Sequence, residues 1–285
     1  MTLDRAHPSR GRRKAEGGSR RLETGDFPYS PPVLTSAFWG LVQGLTEFLP
    51  ISSSGHLVLI PALLDIDGPD LATSAILHLG TLAALVWYYR RDLWRVATAP
   101  SAPSSRTILM LLVIGTIPAA IIGLTLETPI EVIFSEPWIV AVCLMITGVI
   151  LALAALLPDG ERDVEQGTWR DAVTVGIAQA FALLPGISRS GMTIAGGLTT
   201  GFRRPEAARY AFLLGVPTIA GAGFREMLRT IDRGLFEPEL LVGMVVAAAS
   251  GYLAITLLIR LIQRVGLMPF AFYCLAFGGL SWLLV

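Results

Sequence analysis

Charge is what this chain has least of. Only 15% of its 285 residues are Asp, Glu, Lys or Arg, against about 25% in a soluble domain. Acids and bases balance at 22 each, so the net charge is zero. Bulk attraction to nucleic acid or to an acidic partner is thereby excluded. Cysteine is nearly absent too. Cys143 and Cys274 stand alone inside apolar sequence and read as small apolar fillers. No CxxC or Cys/His spacing points to zinc.

The few charges are also segregated. Segments 107–126, 137–157, 240–259 and 265–285 contain none. Each has close to the roughly 20 residues that cross a hydrocarbon core of about 30 Å. Segment 71–89 is similar but carries His78, and 210–224 is shorter, extending back through Ala207. Six spans are expected, and a large soluble helical core does not account for so many uncharged runs. Residues 1–31 differ. Arg5, Arg10, Arg12, Arg13, Lys14, Arg20 and Arg21 lie among Gly, Ser and Pro without an apolar core, so this is no signal peptide. It reads as a disordered basic tail able to touch anionic headgroups.

Two apolar regions are too broken to be ordinary spans. Segment 32–64 is interrupted by Glu47-Phe-Leu-Pro50 and by Ser52-Ser-Ser-Gly-His56; segment 172–202 by Pro185-Gly186 and Ser188-Arg-Ser-Gly191. Each reads as two short helices around a bend. Irregular backbone at membrane depth is tolerated only in contact with protein or a wet cavity, so both are expected to be re-entrant hairpins. The two regions also repeat each other. Gly40-Leu-Val-Gln-Gly-Leu-Thr-Glu-Phe-Leu-Pro-Ile-Ser-Ser-Ser-Gly55 aligns without a gap on Gly176-Ile-Ala-Gln-Ala-Phe-Ala-Leu-Leu-Pro-Gly-Ile-Ser-Arg-Ser-Gly191.

The expected fold is therefore an all-α polytopic membrane protein with an inverted-topology repeat. Residues 32–157 form a hairpin plus three spans, 158–171 a connecting loop, and 172–285 a second hairpin plus three spans. Three is odd, so the halves start from opposite sides, and such architectures place a site near the midplane. The loop 90–106, with Arg90, Arg91, Arg95 and Arg106, is expected in the cytoplasm. The acidic loop 127–136 is expected outside. Counting back puts the basic tail outside as well, against its charge.

The repeat copies diverge where chemistry would be done. The first has Glu47, Ser53 and His56; the second has Leu183, Arg189 and Met192 in their places. Ionisable groups inside a membrane are costly and mark function, although Glu47 and Arg189 could also simply lock the hairpins together. Ser52, Ser54, Ser188, Ser190 and Thr193 supply hydroxyls near helix N-termini, which with the fork of Arg189 would cradle phosphate. Their bland reading is caps and close packing. His56 suits acid–base work near neutral pH. Gln43, one turn before Glu47, could orient it or share a metal with it, and such oxygens suit Mg²⁺ or Ca²⁺. His78 reads as a structural, hydrogen-bonded histidine.

At these residues the chain resembles the undecaprenyl-diphosphate phosphatase, or bacitracin-resistance, family. The resemblance rests on Gln43-Gly-Leu-Thr-Glu47-Phe-Leu-Pro50-Ile-Ser52-Ser-Ser-Gly-His56 and Pro185-Gly-Ile-Ser188-Arg189-Ser190-Gly191-Met-Thr193, and spans about residues 33–285. It implies a bacterial plasma-membrane phosphatase that converts undecaprenyl diphosphate to undecaprenyl phosphate, recycling the lipid carrier of wall polymers and conferring bacitracin resistance. It also implies a divalent cation and a site open to the outer face. The family's acidic motif is Glu or Gln, three residues, then Glu; Gln43 is the neutral version, leaving one carboxylate. Ser53 is the preferred nucleophile, activated by His56 with Glu47 orienting His56 or binding metal, and a directly activated water is the alternative. Membrane lipids and a second copy of the chain are the other expected partners. The rival function is a transporter that flips a polyprenyl phosphate without cleaving it.

Overall fold

The computed structural model describes residues 33–232 and 238–285; the basic tail lies outside them. The described residues are almost entirely helical. The first half holds α1 (Val33–Phe48), α2 (Ser53–Leu64), α3 (Leu71–Tyr88), α4 (Arg90–Thr98), α5 (Pro103–Thr125), α6 (Glu127–Phe134) and α7 (Pro137–Ala155). The second holds α8 (Trp169–Phe181), α9 (Arg189–Thr199), α10 (Arg204–Asp232), α11 (Leu240–Arg264) and α12 (Met268–Leu284).

Four of these helices, α5, α7, α10 and α11, are each long and apolar enough to cross a membrane. The other two expected spans appear in altered form. Segment 71–89 becomes α3, which turns by 72° into α4 at Tyr89 and with it makes a bent fifth candidate. Segment 265–285 becomes α12, a helix of 17 residues, a length that reaches about 25 Å. Segments expected as loops are helical in part: α4 carries Arg90, Arg91 and Arg95, and α6 covers most of 127–136.

The exterior is apolar. Leu34, Trp87, Leu153, Leu253 and Leu283 are all more than 60% exposed, which suits lipid rather than water. Polar side chains turn inward instead. On α1, buried Ser36, Gly40, Gln43, Gly44 and Glu47 recur at helical spacing, while Leu34, Phe38, Leu41 and Leu45 face out. This polar stripe lets α1 approach α11 closely. A Cβ on Gly40 would lie 2.3 Å from the Gly243 carbonyl oxygen, and one on Gly44 would meet Ser250 and Ala247. Small residues are the means by which membrane helices pack, because lipid supplies no hydrophobic drive between them.

The second hairpin packs by the same device on a different partner. A Cβ on Gly176 of α8 would lie 2.8 Å from the Gly115 carbonyl oxygen of α5. Thus α1 of the first half lies on α11 of the second, and α8 of the second on α5 of the first. The end of the bundle near α4 and the start of α10 is tied by ions. Arg209 bonds Asp92 at 2.5 Å and Glu165 at 2.9 Å, Arg203 pairs with Asp163, and Arg162 bonds Asp171 at 2.7 Å. Burial alone would raise the Asp171 carboxyl; bonds from Arg162 and Thr168 outweigh it and hold the group below the usual carboxylate range.

Candidate active site

The bends expected within 32–64 and 172–202 fall at residues 49–52 and 182–188; they are the tips of the two hairpins, and they interlock. Ser54 of the first accepts a bond from the Gly186 amide of the second at 3.4 Å. Ser190 of the second donates to the Leu49 carbonyl of the first at 3.1 Å. Each tip opens a helix with the same serine cap. Ser52 accepts from the Gly55 amide at 3.2 Å and pairs with Ser54 at 3.2 Å. Ser188 accepts from the Gly191 amide at 3.1 Å and pairs with Ser190 at 3.2 Å. Four of the serines read as phosphate ligands thus serve as caps and tip-to-tip bonds. Thr193 also spends its hydroxyl within its own helix, on the Arg189 carbonyl at 2.7 Å.

The matched tips differ in backbone. Ser188 has an ordinary φ of −74°, whereas Ser52 has φ 66°, a left-handed conformation that L residues avoid. Strain of this kind is held only where surrounding structure fixes it. It turns the chain sharply just before Ser53, whose hydroxyl donates to Glu47 Oε2 at 2.5 Å. The second tip is steadied by Thr147 of α7, which accepts from the Ser188 amide at 3.1 Å and donates to the Gly186 carbonyl at 3.0 Å.

Glu47 is the centre of the cluster. Its Oε2 also accepts from Gln43 Nε2 at 2.9 Å, and its Oε1 accepts from Arg189 Nη2 at 3.0 Å. The carboxylate is only 7% exposed. Glu47, Ser53, Gln43 and Arg189 are therefore brought together as the sequence suggests. Arg189 has room because α10 carries a glycine there: a Cβ on Gly215 would lie 2.2 Å from Arg189 Nη1. That nitrogen is buried and has no protein partner, and the same is true of Gln43 Oε1. One unpaired donor and one unpaired acceptor flank a single carboxylate.

The two histidines have different partners from those their spacing suggests. His56 Nδ1 lies 2.8 Å from the Ser52 carbonyl, and a carbonyl can only accept, so Nδ1 carries the hydrogen. His56 Nε2 then accepts from the Tyr273 hydroxyl at 2.6 Å. The ring stacks on Tyr273 and Phe277. His56 is thus bonded to Ser52 and Tyr273 rather than to Ser53, so a Glu47–His56–Ser53 relay is not what this arrangement holds; Glu47 reaches Ser53 directly. His78, read as structural, has its Nε2 at 3.6 Å from Glu47 Oε2. Sequence reasoning also missed Tyr273, Thr147 and Gly215. A tyrosine inside an uncharged span was a usable signal for the first; the other two carry none without the tertiary contact.

As a donor set for a metal, the site offers the Glu47 carboxylate and the unpaired Gln43 carbonyl. These are hard oxygens and fit a divalent cation such as Mg²⁺ or Ca²⁺ whose remaining ligands come from substrate and water. Among the described residues no three His, Cys, Asp or Glu side chains converge as a ready-made metal cage.

Comparison with known proteins identifies the family. Residues 36–280 match the family model described as bacitracin resistance protein BacA. An undecaprenyl-diphosphatase of Geobacter metallireducens is 42% identical over 251 residues, covering 84% of this chain and 93% of the relative. The undecaprenyl-diphosphatase of Thermomicrobium roseum is 40% identical over 272 residues, covering 89% and 98%. That of Micrococcus luteus is 41% identical over 261 residues, covering 86% and 94%. With a family match across nearly all the described residues and relatives aligned over most of their length, the chain belongs to the bacitracin resistance protein BacA family.

Proposed function

We propose that this protein is an integral membrane phosphatase that hydrolyses undecaprenyl diphosphate to undecaprenyl phosphate and inorganic phosphate. The observation that carries the reading is the Glu47–Ser53–Arg189 cluster: a nucleophile hydrogen-bonded to a carboxylate, beside a guanidinium with one buried N–H group unpaired. An unpaired buried N–H is costly, and a phosphate oxygen would satisfy it in a charge-assisted bond. The relatives' name supplies the lipid.

The chemistry follows from the contacts. Glu47 accepts the Ser53 proton across the 2.5 Å bond as Oγ attacks the terminal phosphorus. The Oγ–P bond forms, and the bridging P–O bond breaks to release the lipid monophosphate. Arg189 stabilises the charge on the equatorial oxygens, as cationic clamps do in phosphoryl transfer. Water then attacks the phosphoserine phosphorus. The Oγ–P bond breaks, Glu47 returns its proton to Ser53, and phosphate departs with both water hydrogens. A divalent cation held by Glu47 and Gln43 would neutralise further charge on the diphosphate.

The inverted repeat belongs to this proposal. It is supported by the exchange of partners between halves and by the reciprocal serine bonds at the tips. We read the site as opening to the outer face. Arg209 at the start of α10 bonds Asp92 of α4, the helix that carries Arg90, Arg91 and Arg95, and the positive-inside rule puts this arginine-rich end in the cytoplasm. The test is phosphate release from undecaprenyl diphosphate by the purified protein in detergent. Release above background supports hydrolysis; lipid translocation in vesicles without release in detergent would replace it with transport.

A further inference from the structure

The environment of His78 holds something the phosphatase reading does not use. His78 lies on α3, and its Nδ1 is 2.7 Å from the Ser74 carbonyl. That carbonyl can only accept, so Nδ1 carries the hydrogen, and in the neutral ring Nε2 is a bare acceptor. It faces another acceptor, Glu47 Oε2, at 3.6 Å. This is too long for a hydrogen bond. It is close to the separation of roughly 3.4 Å between two donors that share one ion at about 2.1 Å and tetrahedral angles.

Gln43 can supply a third acceptor. Gln43 Nε2 bonds Glu47 Oε2 at 2.9 Å, leaving Gln43 Oε1 buried without a partner. Rotating the amide by 180° exchanges the two atoms and turns the carbonyl toward Glu47. The scaffold does not impose this orphan. At the matching position in the second hairpin, Gln179 satisfies both ends, donating to the Gly115 carbonyl at 3.2 Å and accepting from Thr218 at 3.2 Å. The same residue type on an equivalent helix is fully bonded where no chemistry is done and half-bonded beside Glu47.

The place is also reachable. His78 keeps 30% of its side-chain surface exposed. It lines a cavity of about 300 Å³ between α3, α6 and α10, together with Ser74, Phe134, Ile219, Arg225 and Glu226.

We propose that His78 is a third protein ligand of the active-site cation, completing with Glu47 and Gln43 a mixed nitrogen–oxygen site. This rests on the reading of Glu47 and Gln43 as cation donors. An imidazole makes the site softer than one built from oxygen donors alone, so it should prefer Mn²⁺ to Ca²⁺.

The test uses Mn²⁺ itself as the probe, with the purified full chain in detergent and no lipid substrate. Binding is followed by electron paramagnetic resonance, and pulsed measurements read nitrogen coupling. The expected result is bound Mn²⁺ with coupling from one directly coordinated imidazole. His78→Gln should remove that coupling and weaken binding by about tenfold or more, since losing even the outer partner of a ligand costs about 10–100-fold. His56→Gln should keep the coupling. Glu47→Gln should abolish binding. Mn²⁺ bound at Glu47 with no histidine coupling, or coupling unchanged in His78→Gln, would overturn the role of His78 and leave His78 as an ion-pair partner of Glu47. Binding unchanged in Glu47→Gln would instead overturn the cation reading on which the proposal stands. Thermal unfolding with and without Mn²⁺ checks folding: each variant should melt near the wild type without the ion, and a variant that does not is replaced by His78→Asn.

Discussion

The two hairpins share a plan and divide the labour. Both end in a serine cap, both pair a first and third serine hydroxyl, and each bonds the other's tip. What differs is the residue after the cap and the backbone before it. The first tip strains Ser52 to φ 66° and delivers Ser53 to Glu47. The second keeps Ser188 relaxed and delivers Arg189 to the same carboxylate. The second tip places its positive φ at Gly186, which costs nothing there. The lesson is that the repeated serines build the interlocked tips, while the divergent positions bring Ser53 and Arg189 to Glu47. Of the two capping serines, only Ser52, just before Ser53, is strained.

The largest effects should come from breaking the first tip. Ser53→Ala or Glu47→Gln is expected to lower kcat by about 10³-fold or more, the range of nucleophile and base losses, read as phosphate release. On the second tip, Arg189→Lys keeps the charge but loses the fork, and should cost about 10²-fold. Full activity in Arg189→Lys would mean that the planar fork is not used.

A smaller effect separates positioning from folding. Gly215→Ala pushes a methyl group against Arg189 Nη1 and should displace the guanidinium, which can move more easily than backbone. Activity should fall about tenfold through misplacement, with the melting temperature nearly unchanged. Gly186→Ala should do the reverse. Its Cβ would lie 2.3 Å from the Val140 carbonyl oxygen at φ 91°, so a stability loss of about 1–3 kcal/mol is expected.

The smallest expected effect lies at the second hairpin's base. Asp171 is held below the usual carboxylate range, so its bonds to Arg162 and Thr168 stabilise the fold above the unfolded value of about 3.9. This stability is lost as pH falls through the folded value. Asp171→Asn should therefore flatten the fall in melting temperature below about pH 4; an unchanged slope would remove Asp171 from the account.

Much of this was legible in the sequence, for physical reasons. The uncharged runs, the broken hairpins and the near-identical tips are local patterns, and they foretold the helices and the meeting of Glu47 with Arg189. The helical spacing of Gln43 and Glu47 foretold their shared face. Other features depend on residues far apart in the chain. His56 reads as Ser53's base from its position three residues on, yet Tyr273, 217 positions away, takes its free nitrogen. His78 reads as a structural, hydrogen-bonded histidine because nothing local ties α3 to α1. The length of α12 and the bend between α3 and α4 were also hidden, since an apolar run reveals neither tilt nor kink.

The central claim is that one phosphatase site is assembled from both tips. Its most direct measurement is phosphate release from undecaprenyl diphosphate in detergent by the wild type, Ser53→Ala and Arg189→Ala. The account predicts turnover by the wild type and losses of about 10²-fold or more in each variant. Turnover retained in either variant would contradict the composite site.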